Sequence, residues 1–152
     1  MELFALSDRE PGRLLAVTDA DEHLSCGDLS AASEALARAI GGHVLVFLLC
    51  ENTPGTLLGY LGCLRCGAVP LLLDAHIAPG LLKGLAETYC PAFYYAPCDL
   101  PKETRAVLPQ AAPVLELHGS LLLSGSVEGP AIHPALALLL TPSGSTGRPK
   151  LV

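Results

Sequence analysis

The residues best suited to chemistry lie between Thr141 and Lys150, in the order Thr-Pro-Ser-Gly-Ser-Thr-Gly-Arg-Pro-Lys. Ser143, Ser145 and Thr146 supply hydroxyl donors, and Gly144 and Gly147 separate them. Glycine lets the backbone turn through positive φ and lets a ligand approach closely. Successive exposed N–H groups in such a loop form a concave anion site. Lys150 adds a compact positive charge suited to phosphate. Together these residues describe a loop that grips a polyphosphate. The competing reading is a Ser/Gly/Pro-rich linker, a composition common in flexible spacers. The loop is not a Walker motif, which needs Gly-Lys-Ser/Thr opening into a helix; here Gly147 is followed by Arg148 and Pro149.

Such a loop must be carried by something rigid. The run Ala135 to Leu140 is wholly apolar and reads as a strand buried on both faces, with the loop at its carboxyl end. Upstream, Leu14–Thr18 and His23–Ser25 read as two short strands around the turn Asp19–Glu22. Ser25 with Asp28 has helix-capping spacing, and Leu29, Ala32, Leu36 and Ile40 fall on one helical face that Gly41-Gly42 ends. His43–Cys50 reads as a buried strand. Thr53 and Pro54 open a helix that Gly67 stops after Cys66. Ala68–Leu73 is the next strand, and Pro70 predicts an edge position or a bulge. Pro79–Tyr89 reads as a helix and Ala92–Ala96 as a strand, with Tyr94 and Tyr95 on opposite faces. A short helix near 102–108, a strand at Val114–Leu117 and a possible strand at Leu121–Leu123 complete the chain. The expected fold class is α/β: a mainly parallel sheet with helices on both faces.

The loop resembles the phosphate loop of the adenylate-forming enzymes: acyl-CoA synthetases, aryl-CoA ligases, peptide-synthetase adenylation domains and luciferases. Their loop reads roughly Thr-Ser-Gly-Ser/Thr-Thr-Gly-x-Pro-Lys-Gly. Ser143 to Gly147 and Pro149-Lys150 match in order; Pro142 and Leu151 depart from it. Pro142 removes one backbone N–H at the loop entrance. A second landmark, Leu-x-Ala-Gly-Ala-x-x-Val-Pro-Leu-Asp, is similar to Leu61–Asp74, with Gly67, Ala68 and Asp74 at its fixed points. The Ser25–Leu29 segment sits loosely where a Thr-Tyr-x-Glu-Leu segment is usual.

The resemblance implies that residues 1–152 are the N-terminal portion of an AMP-binding (adenylation) domain, with the phosphate loop at 141–150. It implies ATP-dependent activation of a small-molecule carboxylate as an acyl-adenylate, then transfer to a thiol of coenzyme A or carrier-protein pantetheine. Thr141, Ser143, Gly144, Ser145, Thr146, Gly147 and Lys150 would bind the nucleotide, Lys150 acting as the catalytic cation and Mg2+ accompanying ATP. The remainder of the adenylation domain becomes the expected partner, and residues 1–152 alone are expected to be inactive. A non-catalytic nucleotide- or phosphate-binding module and a structural α/β domain remain open alternatives. Asp74 reads either as a local loop or helix-cap residue or as a substrate contact; short polar residues at loop starts favour the former.

Composition narrows the classes further. Hydrophobic residues make up 51% and charged residues 16% of the chain. That fits a sheet covered on both sides, or a piece whose apolar surface meets further chain. The net charge is −6 with no basic stripe, which argues against nucleic acid. No apolar run has transmembrane length and the first residues lack secretory-signal character, so a cytoplasmic protein is expected. Cys26, Cys50, Cys63, Cys66, Cys90 and Cys98 are then expected as thiols without disulfide or metal. Cys63-x-x-Cys66 could be a redox or zinc pair, but no second pair has metal spacing, and burial as small hydrophobes in a helix accounts for both.

Overall fold

In the computed structural model, which describes residues 9–126 and 129–141, the chain opens with a hairpin. β1 (Leu14–Val17) and β2 (His23–Ser25) pair antiparallel as a separate two-stranded sheet. Helix α1 (Cys26–Ile40) starts at a complete capping box. The Ser25 hydroxyl accepts from the Asp28 N–H at 3.1 Å, and the Asp28 carboxylate accepts from the Ser25 N–H at 3.2 Å and hydroxyl at 2.6 Å. Two otherwise unsatisfied helix-end donors are thereby satisfied. The expected stripe Leu29, Ala32, Leu36 and Ile40 is buried. Gly41 ends the helix in the left-handed region, at φ 83°, where a Cβ is unfavourable.

The main sheet is built around β3 (Leu45–Cys50), an uninterrupted apolar strand. From it the chain runs through α2 (Pro54–Cys66), β4 (Val69–Asp74), α3 (Pro79–Tyr89), β5 (Phe93–Pro97), α4 (Lys102–Val107), β6 (Leu115–Leu117), β7 (Ser120–Ser124) and β8 (Leu139–Leu140). The six strands lie in the order β6-β7-β5-β3-β4-β8. β3, β4, β5 and β8 are mutually parallel. β6 and β7 form an antiparallel hairpin on the β5 edge, so the sheet is mixed but mostly parallel.

Alternation along the strands divides the core into two layers. Leu45, Phe47 and Leu49 face α3, meeting Leu82 and Leu85, with Tyr94 in the same layer. Val46 and Leu48 face the other way, with Leu36 of α1, Cys63 of α2 and Tyr95. Helices therefore cover both faces, as expected, and the adjacent tyrosines serve opposite layers. Phe47 and Tyr94 meet edge to face, 5.6 Å between ring centres. Helix α2 lies close to the sheet and to α1 because Gly59 and Gly62 present no side chain there. A Cβ on Gly59 would stand 2.5 Å from Tyr95 Cδ1, and one on Gly62 2.7 Å from Leu36 Cδ2.

Two expectations require correction. Pro70 marks neither an edge strand nor a bulge, for β4 lies between β3 and β8 in unbroken register with β3. The Val69 N–H donates to the Val44 carbonyl and the Ala75 N–H to the Cys50 carbonyl. By the alternation of a parallel ladder, even-numbered residues of β4 then turn their backbone towards β8. The missing N–H of Pro70 falls on that side, where pairing is confined to Leu71 and Leu72. The second correction concerns the run from Ala135 to Leu140. Only Leu139–Leu140 is strand, at the sheet's edge, and Leu140 is 45% exposed. Ala135 begins instead within a turn in which the Leu136 N–H donates to the His133 carbonyl at 2.9 Å. None of the six residues is fully buried, so an apolar run need not mark a strand covered on both faces.

Candidate functional site

The parallel strands end on one side of the sheet, which fixes where loop residues collect. Glu51–Thr53 follow β3, Ala75 and His76 follow β4, Cys98 and Asp99 follow β5, and Thr141 follows β8. The loop from β3 enters α2 on one face of the sheet, and the loop from β4 enters α3 on the other. Where consecutive connections diverge in this way, a crevice opens at the carboxyl ends of the strands, the usual ligand position in open α/β sheets.

Each loop is held by its own chemistry. The Thr53 hydroxyl caps α2, accepting from the Thr56 N–H at 3.4 Å, and Pro54 occupies the first turn. The Thr56 hydroxyl in turn accepts from the Glu51 N–H at 3.0 Å. The amino end of α2 thus points at the carboxyl edge of the sheet with its positive dipole end outward. Asp74 makes the local contact expected of a loop residue: its carboxylate accepts from the His76 N–H at 2.8 Å and lies 3.4 Å from His76 Nδ1. Cys50 ends β3 opposite Asp74 in the β3–β4 register. Burial pushes the Cys50 thiol up, Asp74 adds to that, and its Sγ donates to the Leu48 carbonyl at 3.3 Å. A protonated, internally bonded thiol is a poor nucleophile.

Two clefts flank this edge. One, of about 310 Å³, lies between Glu22, Glu51, Asp99, His118 and the start of α2. The other, of about 290 Å³, is more apolar and is lined by Leu48, Cys50, Leu57, Tyr60 and Leu72. Sequence reasoning passed over Glu51 and Thr56 as ordinary loop and helix residues. Their position at the strand ends becomes visible only through the register of β3 with its neighbours.

Of the residues expected to bind nucleotide, Thr141 is described: it is half-buried and follows directly on β8, beside β4. Ser143, Gly144, Ser145, Thr146, Gly147 and Lys150 lie outside the described residues. Cys63 is buried within α2, and burial pushes its thiol up to about 12, with Cys66 adding to the shift. Cys66 Sγ lies 3.5 Å from the Cys63 carbonyl oxygen, as a small residue in a helix's last turn does. Among the described residues, no group of three or more His, Cys, Asp or Glu side chains is arranged to hold a metal ion. Among the same residues, no helix is long and apolar enough to cross a membrane.

Comparison by sequence with curated proteins finds no match. Solved structures do match the fold. O-succinylbenzoate coenzyme A synthetase from Bacillus subtilis, in complex with AMP, is 19% identical with a TM-score of 0.67, over 99% of this chain and 40% of its own. MenE from Escherichia coli is 26% identical with a TM-score of 0.57, over 92% of this chain and 30% of its own. Apo MatB from Rhodopseudomonas palustris is 21% identical with a TM-score of 0.58, over 96% of this chain and 32% of its own. The chain therefore spans well under half the length of these proteins. Its mostly parallel sheet with helices on both faces is the fold of their matching portions. Residues 4–152 match the AMP-binding enzyme family, to which this chain belongs.

Proposed function

We propose that this chain carries the triphosphate-gripping part of an enzyme that activates a carboxylic acid with ATP. A carboxylate oxygen attacks the α-phosphorus, the bond to the pyrophosphate oxygen breaks, and an acyl-adenylate forms. The acyl group then passes to a thiol, of coenzyme A or carrier-protein pantetheine, releasing AMP. The observation that carries this reading is the position of Thr141. β8 delivers it beside β4 at the carboxyl edge of the parallel sheet, with Pro142 alone between it and Ser143–Lys150 in the sequence.

In this reading the backbone N–H groups and hydroxyls of Ser143 to Gly147 hold the β- and γ-phosphates. Lys150 neutralises charge developing on the departing pyrophosphate, the kind of electrostatic term that dominates many enzymes. Mg2+ travels with the triphosphate, a setting in which it takes one or two carboxylates, phosphate oxygens and waters. Structures of the Bacillus subtilis synthetase with ATP and magnesium, and with the acyl-adenylate intermediate OSB-AMP, support the assignment by analogy. We place the adenine, ribose and carboxylate pockets on the remainder of an adenylation domain, outside residues 1–152, and the protein in the cytoplasm.

Carboxylate-dependent ATP–pyrophosphate exchange tests the proposal. The assay compares residues 1–152, the same residues joined to the remainder of an adenylation domain, and that longer protein carrying Lys150→Ala. Residues 1–152 alone should not exchange, because the reacting groups are not positioned against each other. The longer protein should, and Lys150→Ala should slow it on the order of a hundredfold, about 2–4 kcal/mol. Exchange unaffected by Lys150→Ala refutes the lysine's role. Nucleotide binding without exchange points instead to a non-catalytic nucleotide-binding module.

A further inference from the structure

At the amino-terminal end of the sheet, opposite the candidate site, the His43 ring joins two segments far apart in the chain. Its Nδ1 lies 2.8 Å from the Gly67 carbonyl oxygen and its Nε2 3.2 Å from the His133 carbonyl oxygen. Carbonyl oxygens only accept. A neutral imidazole carries one N–H and one bare nitrogen, so it satisfies one of these carbonyls and turns a lone pair on the other; an imidazolium donates to both. Gly67 is the C-cap of α2, where a helix's unsatisfied carbonyls and dipole favour a cation.

His43 borders a cleft of about 220 Å³ whose other titratable side chain, among the described residues, is Cys90 at the end of α3. On α2, the Arg65 guanidinium is engaged by the Ser30 carbonyl and the Ser30 and Ser33 hydroxyls of α1, and Cys66 bonds within its own helix. His133 uses Nδ1 to accept from the Ala135 N–H at 3.2 Å, so its own protonation opposes its local turn. His43 is exposed, and protons reach it freely.

The segment it holds is the strap that leads into β8. Ile132 and Leu136 pack against the core, and the His133 carbonyl also accepts from the Leu136 N–H at 2.9 Å. We infer that His43 is a proton-operated clamp: protonated, it ties the strap to the carboxyl end of α2, and neutral, it holds one of the two carbonyls. The strap runs directly into β8 and Thr141, so the clamp sets how firmly that edge is seated. The inference stands whether or not the following loop binds nucleotide.

Amide hydrogen exchange of the 152-residue chain, corrected for the intrinsic pH dependence of exchange, tests the clamp. Between about pH 8 and pH 5.5, where histidine changes charge, protection of residues 133–141 relative to β3 should rise roughly three- to tenfold, the worth of one hydrogen bond. The rise should vanish in His43→Gln and survive in His133→Gln. A flat wild-type profile, a rise that survives in His43→Gln, or one abolished by His133→Gln overturns the inference. Should His43→Gln fail to fold, the ring ¹⁵N shifts of the wild-type chain decide. Gain of a second ring proton on His43 in step with strap protection supports the clamp; ring protonation with unchanged protection overturns it.

Discussion

Replacing glycine by alanine in two different helices should move stability in opposite directions. In α2, a Cβ on Gly59 would lie 2.5 Å from Tyr95 Cδ1 and 2.6 Å from both Tyr95 Cε1 and Leu48 Cδ1. Carbon atoms pack best near 3.5–4.0 Å, so an overlap of about 1 Å must be relieved. Tyr95 and Leu48 are 1% and 0% exposed and cannot swing into solvent. Overpacking of this kind costs about 1–3 kcal/mol, while alanine returns about 1 kcal/mol in helix propensity. Gly59→Ala should therefore destabilise by up to about 2 kcal/mol. In α3, a Cβ on Gly84 would meet nothing within 4 Å, so Gly84→Ala keeps the propensity gain and should stabilise by about 0.5–1 kcal/mol. For a chain of this size each kcal/mol moves the melting temperature by about 2–4 °C. Urea and thermal denaturation of both variants, followed by circular dichroism, measure the pair. If both substitutions shift stability the same way, the close approach of α2 to β5 is not what Gly59 is for.

Two further predictions rest on individual side chains. Hydrogen bonds from the Ser25 hydroxyl, and then from its N–H, hold the Asp28 carboxyl below the ordinary carboxylate range. A depressed folded-state value means that the capping contribution is complete above the unfolded value, about 3.9, and is lost as pH falls through the folded one. Acid titration of stability should show this slope in the wild type and lack it in Asp28→Asn; identical slopes would refute the assignment. Burial pushes the Tyr95 hydroxyl up to about 12, offset only in part by the Ser120 hydroxyl, and among the described residues no group, Ser120 included, meets it with the geometry of a full hydrogen bond. Removing an unsatisfied group should be neutral or favourable, so Tyr95→Phe should hold or raise stability by up to about 1 kcal/mol. A loss larger than that in urea denaturation would show that the hydroxyl is bonded after all.

The elements that the chain's pattern announced were those governed by local chemistry. Ser25 and Asp28, Thr53 and Pro54, Gly41 and Gly67 mark helix ends because capping is settled within a few residues, and each stands where expected. The period of α1 and the opposed faces of Tyr94 and Tyr95 are equally local. What the pattern did not contain was the identity of neighbours. The apolar run from Ala135 to Leu140 looked like a doubly covered strand but supplies only a two-residue edge. Pro70 looked like an edge marker but sits inside the sheet, tolerated because its unbonded side coincides with the short reach of β8. At the candidate site, Ser143–Lys150 carry an expectation of phosphate binding and lie outside the described residues, whereas the convergence of Glu51, Thr53 and Asp74 on one edge depends on strand order.

The pairing of β8 with β4 also sets a sequence in time. β3, β4 and β5 come together from residues 45–97, whereas β8 joins Leu71 to Leu139 and Leu72 to Leu140. Closing so long a loop carries an entropic cost that the nearer pairings do not bear. Chains also emerge amino end first during synthesis. The central sheet can therefore assemble while residue 139 is still unmade, leaving β4 with an open edge until β8 arrives. The strand that leads to Thr141 is then the last of the parallel strands to be seated.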